Sequence, residues 1–111
     1  MILAVVNSIN GIPIRLTEER WEHIVDRRPH MTSYLEATLT AVEHPTVILR
    51  GRRGRRGQTG QVYVAVLALG PDHYLHIAYR EFKSQADGFI ITATLEADFD
   101  ERLVIWRAQE Q

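Results

Sequence analysis

No cysteine occurs among the 111 residues, and Lys83 is the only lysine. The first absence excludes a disulfide scaffold and any thiolate metal site, and it fits a reducing compartment. The second leaves twelve of the thirteen basic residues as arginine, the side chain suited to bidentate phosphate contact. No apolar run approaches the roughly 20 residues needed to span a bilayer. Met1 to Val6 lacks the basic region and length of a signal peptide, so a cytoplasmic protein with no membrane partner is expected. There is no dinucleotide-binding GxGxxG, no lysine-bearing phosphate loop, no HExxH and no GxSxG. His73 and His76 stand three apart in a strand-like run and so point to opposite sides, which removes the one metal pair the spacing suggests. Neither metal nor cofactor is expected.

What is present reads as one globular domain spanning residues 1–111, with 45% apolar and 24% charged residues. Its net charge of -1 is unevenly spread: residues 1–80 carry ten arginines against seven carboxylates, and residues 81–111 carry three cations against seven. The clearest helix signal is TEERWEHIVDRRPH, residues 17–30. Thr17 is a fitting N-cap, Glu18 and Glu19 suit the positive helix end, and Pro29 ends the helix near Arg27. Trp21, Ile24 and Val25 make its apolar stripe. Arg20, His23, Arg27 and His30 share a different sector.

Around that helix, Ile2–Val6 and Ile12–Leu16 read as short strands joined by an Asn/Ser/Gly bend. Ser33 with Glu36 suggests a capping box for a second helix over Leu35 to Val42, ended by His44 and Pro45. Thr46–Leu49 reads as a strand leading into Arg50. Next comes GRRGRRG, which has no apolar residue to bury, so 51–60 is expected to be a mobile Arg/Gly-rich loop. Gln61–Leu69 and Tyr74–Arg80 form a hairpin around GPDH. In Phe89–Leu95, alternation puts Phe89, Ile91, Ala93 and Leu95 on one face and Ile90, Thr92 and Thr94 on the other. The tail carrying Phe99, Leu103, Ile105 and Trp106 fits a strand or a helical turn equally. The expected fold is α+β, with two N-terminal helices packed on one face of a mainly antiparallel sheet of four to five strands.

Several residues have the chemistry for a phosphate site. His23 and Arg27 lie one turn apart, an imidazole to move a proton and a guanidinium to neutralise charge, although a solvated helix face gives the same spacing. Arg50, Arg52, Arg53, Arg55 and Arg56, with no carboxylate among them, repel one another unless something anionic offsets them; Arg20 and Arg28 add to the basic surface. His76 and Arg80 share a strand face and meet Thr92 and Thr94 if the faces match.

HIVDRRP at 23–29, HPTVILRG at 44–51, YRE at 79–81 and DGFIITATL at 87–95 together resemble the small bacterial and phage proteins grouped with the barnase/EndoU/colicin/RelE-like (BECR) nucleases. The resemblance covers roughly residues 8–96. It implies a metal-independent, toxin-like endoribonuclease in which the RNA 2′-hydroxyl attacks the adjacent phosphate, and a small antitoxin-like protein that neutralises it. By position His23 matches the family's helix histidine, Arg27 its arginine and Thr92 its strand threonine; Thr94 stands where tyrosine is frequent. Arg28 and His30 depart from the histidine and acidic residue the family prefers. Arg80 joins Arg27 in offsetting phosphate charge, and single-stranded RNA is the expected substrate if Tyr63, Tyr74 or Tyr79 offers a stacking surface. The competing expectation is a non-catalytic nucleic-acid-binding module that uses the arginine loop.

Overall fold

The computed structural model describes residues 1–52 and 60–109. Its elements run β1 (Ile2–Asn7), β2 (Pro13–Thr17), α1 (Glu18–Arg27), a 3₁₀ segment (Pro29–Tyr34), α2 (Leu35–Glu43), β3 (Val47–Arg50), β4 (Gln61–Gly70), β5 (His73–Phe82), β6 (Asp87–Glu96) and β7 (Val104–Arg107). Among the described residues one seven-stranded sheet forms, in the order β1-β2-β6-β5-β4-β3-β7. Every neighbouring pair is antiparallel except β2 and β6, which run parallel with Arg15 opposite Phe89.

This overturns the expected architecture of two N-terminal helices on four to five strands. The helices begin at residue 18, after a hairpin, and the sheet is mixed and seven-stranded. Long-range pairing is the reason. The N-terminal hairpin joins the sheet by docking β2 beside β6, more than 70 residues later in the chain, and the C-terminal β7 adds itself to β3. Neither partnership leaves a local periodicity to read. The tail supplies both candidate forms, a 3₁₀ turn at Glu101–Leu103 and then β7.

α1 begins as its sequence indicates, with the Thr17 hydroxyl accepting from the Arg20 N–H at 3.1 Å. The expected Ser33 cap does not form. A 3₁₀ segment starting at Pro29 occupies that stretch, and α2 starts after Tyr34 without a side-chain cap. Proline at the first position of the 3₁₀ segment needs no N–H partner, so the chain turns there before a second helix can be capped.

The sheet has two unlike faces. Ile14, Leu16, Ala65, Leu75, Ile77, Tyr79, Ile90 and Ala93 point to one side, where α1 and α2 cover them with Ile24, Ala41 and Val42. On the other side a smaller cluster of Val47, Leu49 and Val66 is covered by Phe99 and Leu103 of the C-terminal segment, with Phe99 edge-on to Tyr74. Among the described residues no helix packs on the β2, β6 and β5 part of this second face. Gly88 lets β6 run close to β5 and β2, because a Cβ there would strike the Arg80 carbonyl and the Ile14 side chain.

No described helix is long and apolar enough to cross a membrane.

Candidate nucleic-acid interface

The second face of β5 and β6 is where the strand residues singled out in the sequence come together. Along β5, Leu75, Ile77, Tyr79 and Glu81 are buried under the helices, so His76, Ala78 and Arg80 face the other way, half-buried. Across the ladder His76 pairs with Thr94, Ala78 with Thr92 and Arg80 with Phe89. Residues directly opposite in an antiparallel pair have Cβ atoms about 5 Å apart, so these side chains form one patch with Ala78 as its low point.

A bulge makes this match. Between Phe89 and Thr92 the register shifts, so that Tyr79 opposes Ile90, Ala78 opposes Thr92, and Ile91 is the extra residue. Strict alternation would have separated Phe89 from the threonines, as expected above. The inserted residue reverses the phase, and Phe89, Thr92 and Thr94 share a face while Ile90 and Ala93 are buried.

His76 Nε2 lies 3.0 Å from the Asp98 carbonyl oxygen. A carbonyl only accepts, so a neutral His76 carries its proton on Nε2 and presents Nδ1 as an acceptor.

Beside the patch, β2 and the start of α1 meet β6. Arg15 on β2 is paired with Asp87, donates to the Gly88 carbonyl at 3.3 Å and stacks its guanidinium 5.5 Å from the Phe89 ring centre. Arg15, Thr17, Arg20 and Phe89 line a recess of about 250 Å³. Ile90, buried on the helix side, lines it too, so the recess lies at the β2–β6 junction beside α1. Arg27, seven residues on, falls nearly in line with Arg20, and His23 lies about 60° round the helix; both are exposed.

Other expected contacts are placed elsewhere. Arg28 caps α1, its N–H bonded to the Ile24 carbonyl at 2.9 Å, and is half-buried. Arg50 is exposed at the end of β3 but stands opposite Tyr63, on the helix side of the sheet. Arg52 is exposed, and Arg53, Arg55 and Arg56 lie outside the described residues, as does most of the expected mobile loop. Of the three tyrosines considered for stacking, Tyr79 is buried and Tyr74 is occupied by Phe99; Tyr63 is half-buried beside Tyr79, ring centres 5.7 Å apart.

Sequence reasoning missed a buried polar cluster on the helix side. Glu81, 1% exposed, accepts a hydrogen bond from the Ser8 hydroxyl and one from Asn10 Nδ2 at 3.0 Å. Ser8 Oγ in turn accepts from the Asn10 and Ile12 N–H groups, which ties the β1–β2 turn to β5. Next to it, the Tyr79 hydroxyl is buried with no hydrogen-bond partner among the described residues. Burial raises the Tyr79 pKa well above its usual range, and the nearby Glu81 charge and Tyr63 add to the effect. One signal was present: Glu81 continues the alternation of Leu75, Ile77 and Tyr79 and so had to point inward.

Among the described residues, no three His, Asp or Glu side chains gather as a metal-binding group. Comparison of the chain with protein-family models, curated proteins and solved structures finds no match. The sheet and its two faces therefore define the protein as a mixed α/β domain with one partly open polar face.

Proposed function

We propose that this protein is a metal-independent endoribonuclease that holds single-stranded RNA across the open face of β5 and β6. The observation that carries the reading is the shared face of His76, Arg80, Thr92 and Thr94 around the small Ala78. In this reading the scissile phosphate lies over Ala78. An imidazole takes the 2′-hydroxyl proton, the 2′-oxygen attacks phosphorus, the bond to the 5′-oxygen breaks, and a second imidazole returns a proton to that oxygen. The products are a 2′,3′-cyclic phosphate and a 5′-hydroxyl. In this reading the RNA passes the β2–β6 junction at Arg20, so that His23 of α1 and His76 of β5 are the two imidazoles; Arg27 and Arg80 offset the charge that grows on the phosphoryl oxygens, and Thr92 and Thr94 hydrogen-bond one of them. Arg15 and Arg20 hold the flanking backbone. The protein acts in the cytoplasm, and a small antitoxin-like protein covering its basic surface is the partner that the resemblance implies.

A second reading, a nucleic-acid-binding module without chemistry, draws on the Arg15–Phe89 stack, a cation and ring that hold a strand by charge and stacking alone. Incubating the protein with fluorescent single-stranded RNA in EDTA, beside DNA of the same sequence, separates the two. Cleavage of RNA alone, lost in His23→Ala and His76→Ala while binding persists, supports the nuclease. RNA that shifts on a gel but stays intact moves the conclusion to the binding module. Indifference to RNA at low salt removes both, since phosphate contacts are strongest there.

A further inference from the structure

On the helix side of the sheet, away from the β5–β6 patch, the ends of β3, β4, β5 and β7 surround a recess of about 190 Å³. Its lining combines three chemistries. Tyr63 and Trp106 supply aromatic surface. Asn10 and Tyr79 supply hydrogen-bonding groups: Asn10 donates from its amide nitrogen to Glu81 and also carries a carbonyl oxygen, and the buried Tyr79 hydroxyl has no hydrogen-bond partner among the described residues. Lys83 lines the recess, and Arg50 stands opposite Tyr63 on the same face.

We propose that this recess is a pocket for one nucleobase of a single-stranded nucleotide, whose phosphate meets Lys83 and Arg50. The volume is below the roughly 300 Å³ at which drug-sized pockets begin, which suits one planar ring system. An apolar ligand would leave the Tyr79 hydroxyl unpaired at a cost, because a buried polar group without a partner is destabilising. An acidic peptide would satisfy Lys83 and Arg50 and leave the tyrosine and tryptophan rings without a use. A base with its phosphate uses all three, stacking on an aromatic ring, reading its edge through Tyr79 and Asn10, and neutralising its charge at the rim.

The pocket stands apart from the proposed cleavage chemistry, since it shares no residue with the β5–β6 patch. Nucleotide binding here would persist in a protein that never cleaves RNA, and cleavage would persist if this pocket bound nothing.

The test follows the indole N–H of Trp106 by two-dimensional NMR while AMP, GMP, CMP and UMP are titrated separately. Ribose 5-phosphate and inorganic phosphate are the controls, and the Trp21 indole, on α1 and half-buried against the helix-side core, is the internal reference. The expected result is a saturable shift of Trp106 but not Trp21 with at least one nucleotide, and none with either control. Tyr79→Phe, which removes one oxygen, is expected to weaken the best nucleotide about 3- to 10-fold. Asn10→Ala is expected to alter the ranking of the four bases. A Trp106 resonance that none of the four moves at millimolar concentration overturns the proposal. So does one that phosphate alone moves equally, or a Tyr79→Phe protein that binds with full affinity.

Discussion

Two faces of the same strands carry opposite chemistry in this protein. On β5, Leu75, Ile77 and Tyr79 are fully buried beneath α1 and α2, while their immediate neighbours His76, Ala78 and Arg80 form half of a polar patch on the other side. The buried face is fixed by close packing and by one satisfied polar cluster, Glu81 with Ser8 and Asn10. The open face carries little packing load. The difference teaches that stability and function in this sheet are separated by a single residue step.

The largest effect expected from breaking that separation is Ile77→Ala. It removes a fully buried side chain at the centre of the sheet and should cost about 3 to 4 kcal/mol, read from the denaturant midpoint. His76→Ala, one residue away, should cost less than about 1 kcal/mol, because its ring has one backbone hydrogen bond and partial exposure. Equal losses at the two positions would sink the two-face account.

Next in size is the coupling between Ser8 and Glu81. Either single alanine leaves a buried partner unpaired, so a double-mutant cycle should give a coupling of about 1 to 3 kcal/mol. Additive losses would mean that the β1–β2 turn is held by something else. Thr17→Ala should cost about 1 kcal/mol by removing the α1 cap, visible as a lowered melting temperature.

The smallest effect at neutral pH is that of Tyr79 ionisation, and the buried face should reveal it only in alkali. Its folded pKa is raised above the unfolded value near 10, so the neutral phenol is favoured by folding. That contribution is fully present below about pH 10 and is lost as pH rises above it, when the unfolded chain gives up the proton and the folded chain does not. Comparing denaturant midpoints at pH 8 and pH 11, the wild type should lose more stability than Tyr79→Phe. Parallel losses would mean that the hydroxyl is not in a desolvated position.

Much of the local structure was legible. Thr17 as cap, the end of α1 before Pro29 and the hairpin around Gly70–His73 follow from the hydrogen-bonding and backbone preferences of those residues alone. The inward side of β5 was legible too, by period-two alternation. The phase of β6 was not, because the extra Ile91 reverses it and nothing in the run of Phe89 to Leu95 marks where a bulge falls. Of the candidate site, His76, Arg80 and the two threonines were named from one-dimensional spacing. Their meeting depended on that bulge. The inward side of Glu81 followed from that same alternation, but its partners did not, because Ser8 and Asn10 lie in a turn more than 70 residues away.

Residue type and near neighbours were enough to mark α1, the β4–β5 hairpin and the side chains able to move a proton, bind an anion or stack, but not the 3₁₀ segment before α2 or the form of the tail. Only the tertiary structure decided that β2 lies parallel to β6, that the helices follow a hairpin, and that the Tyr79 hydroxyl beside Tyr63 has no hydrogen-bond partner among the described residues. Those outcomes depend on which distant strands exclude water from one another, and that selection is made by the whole core at once.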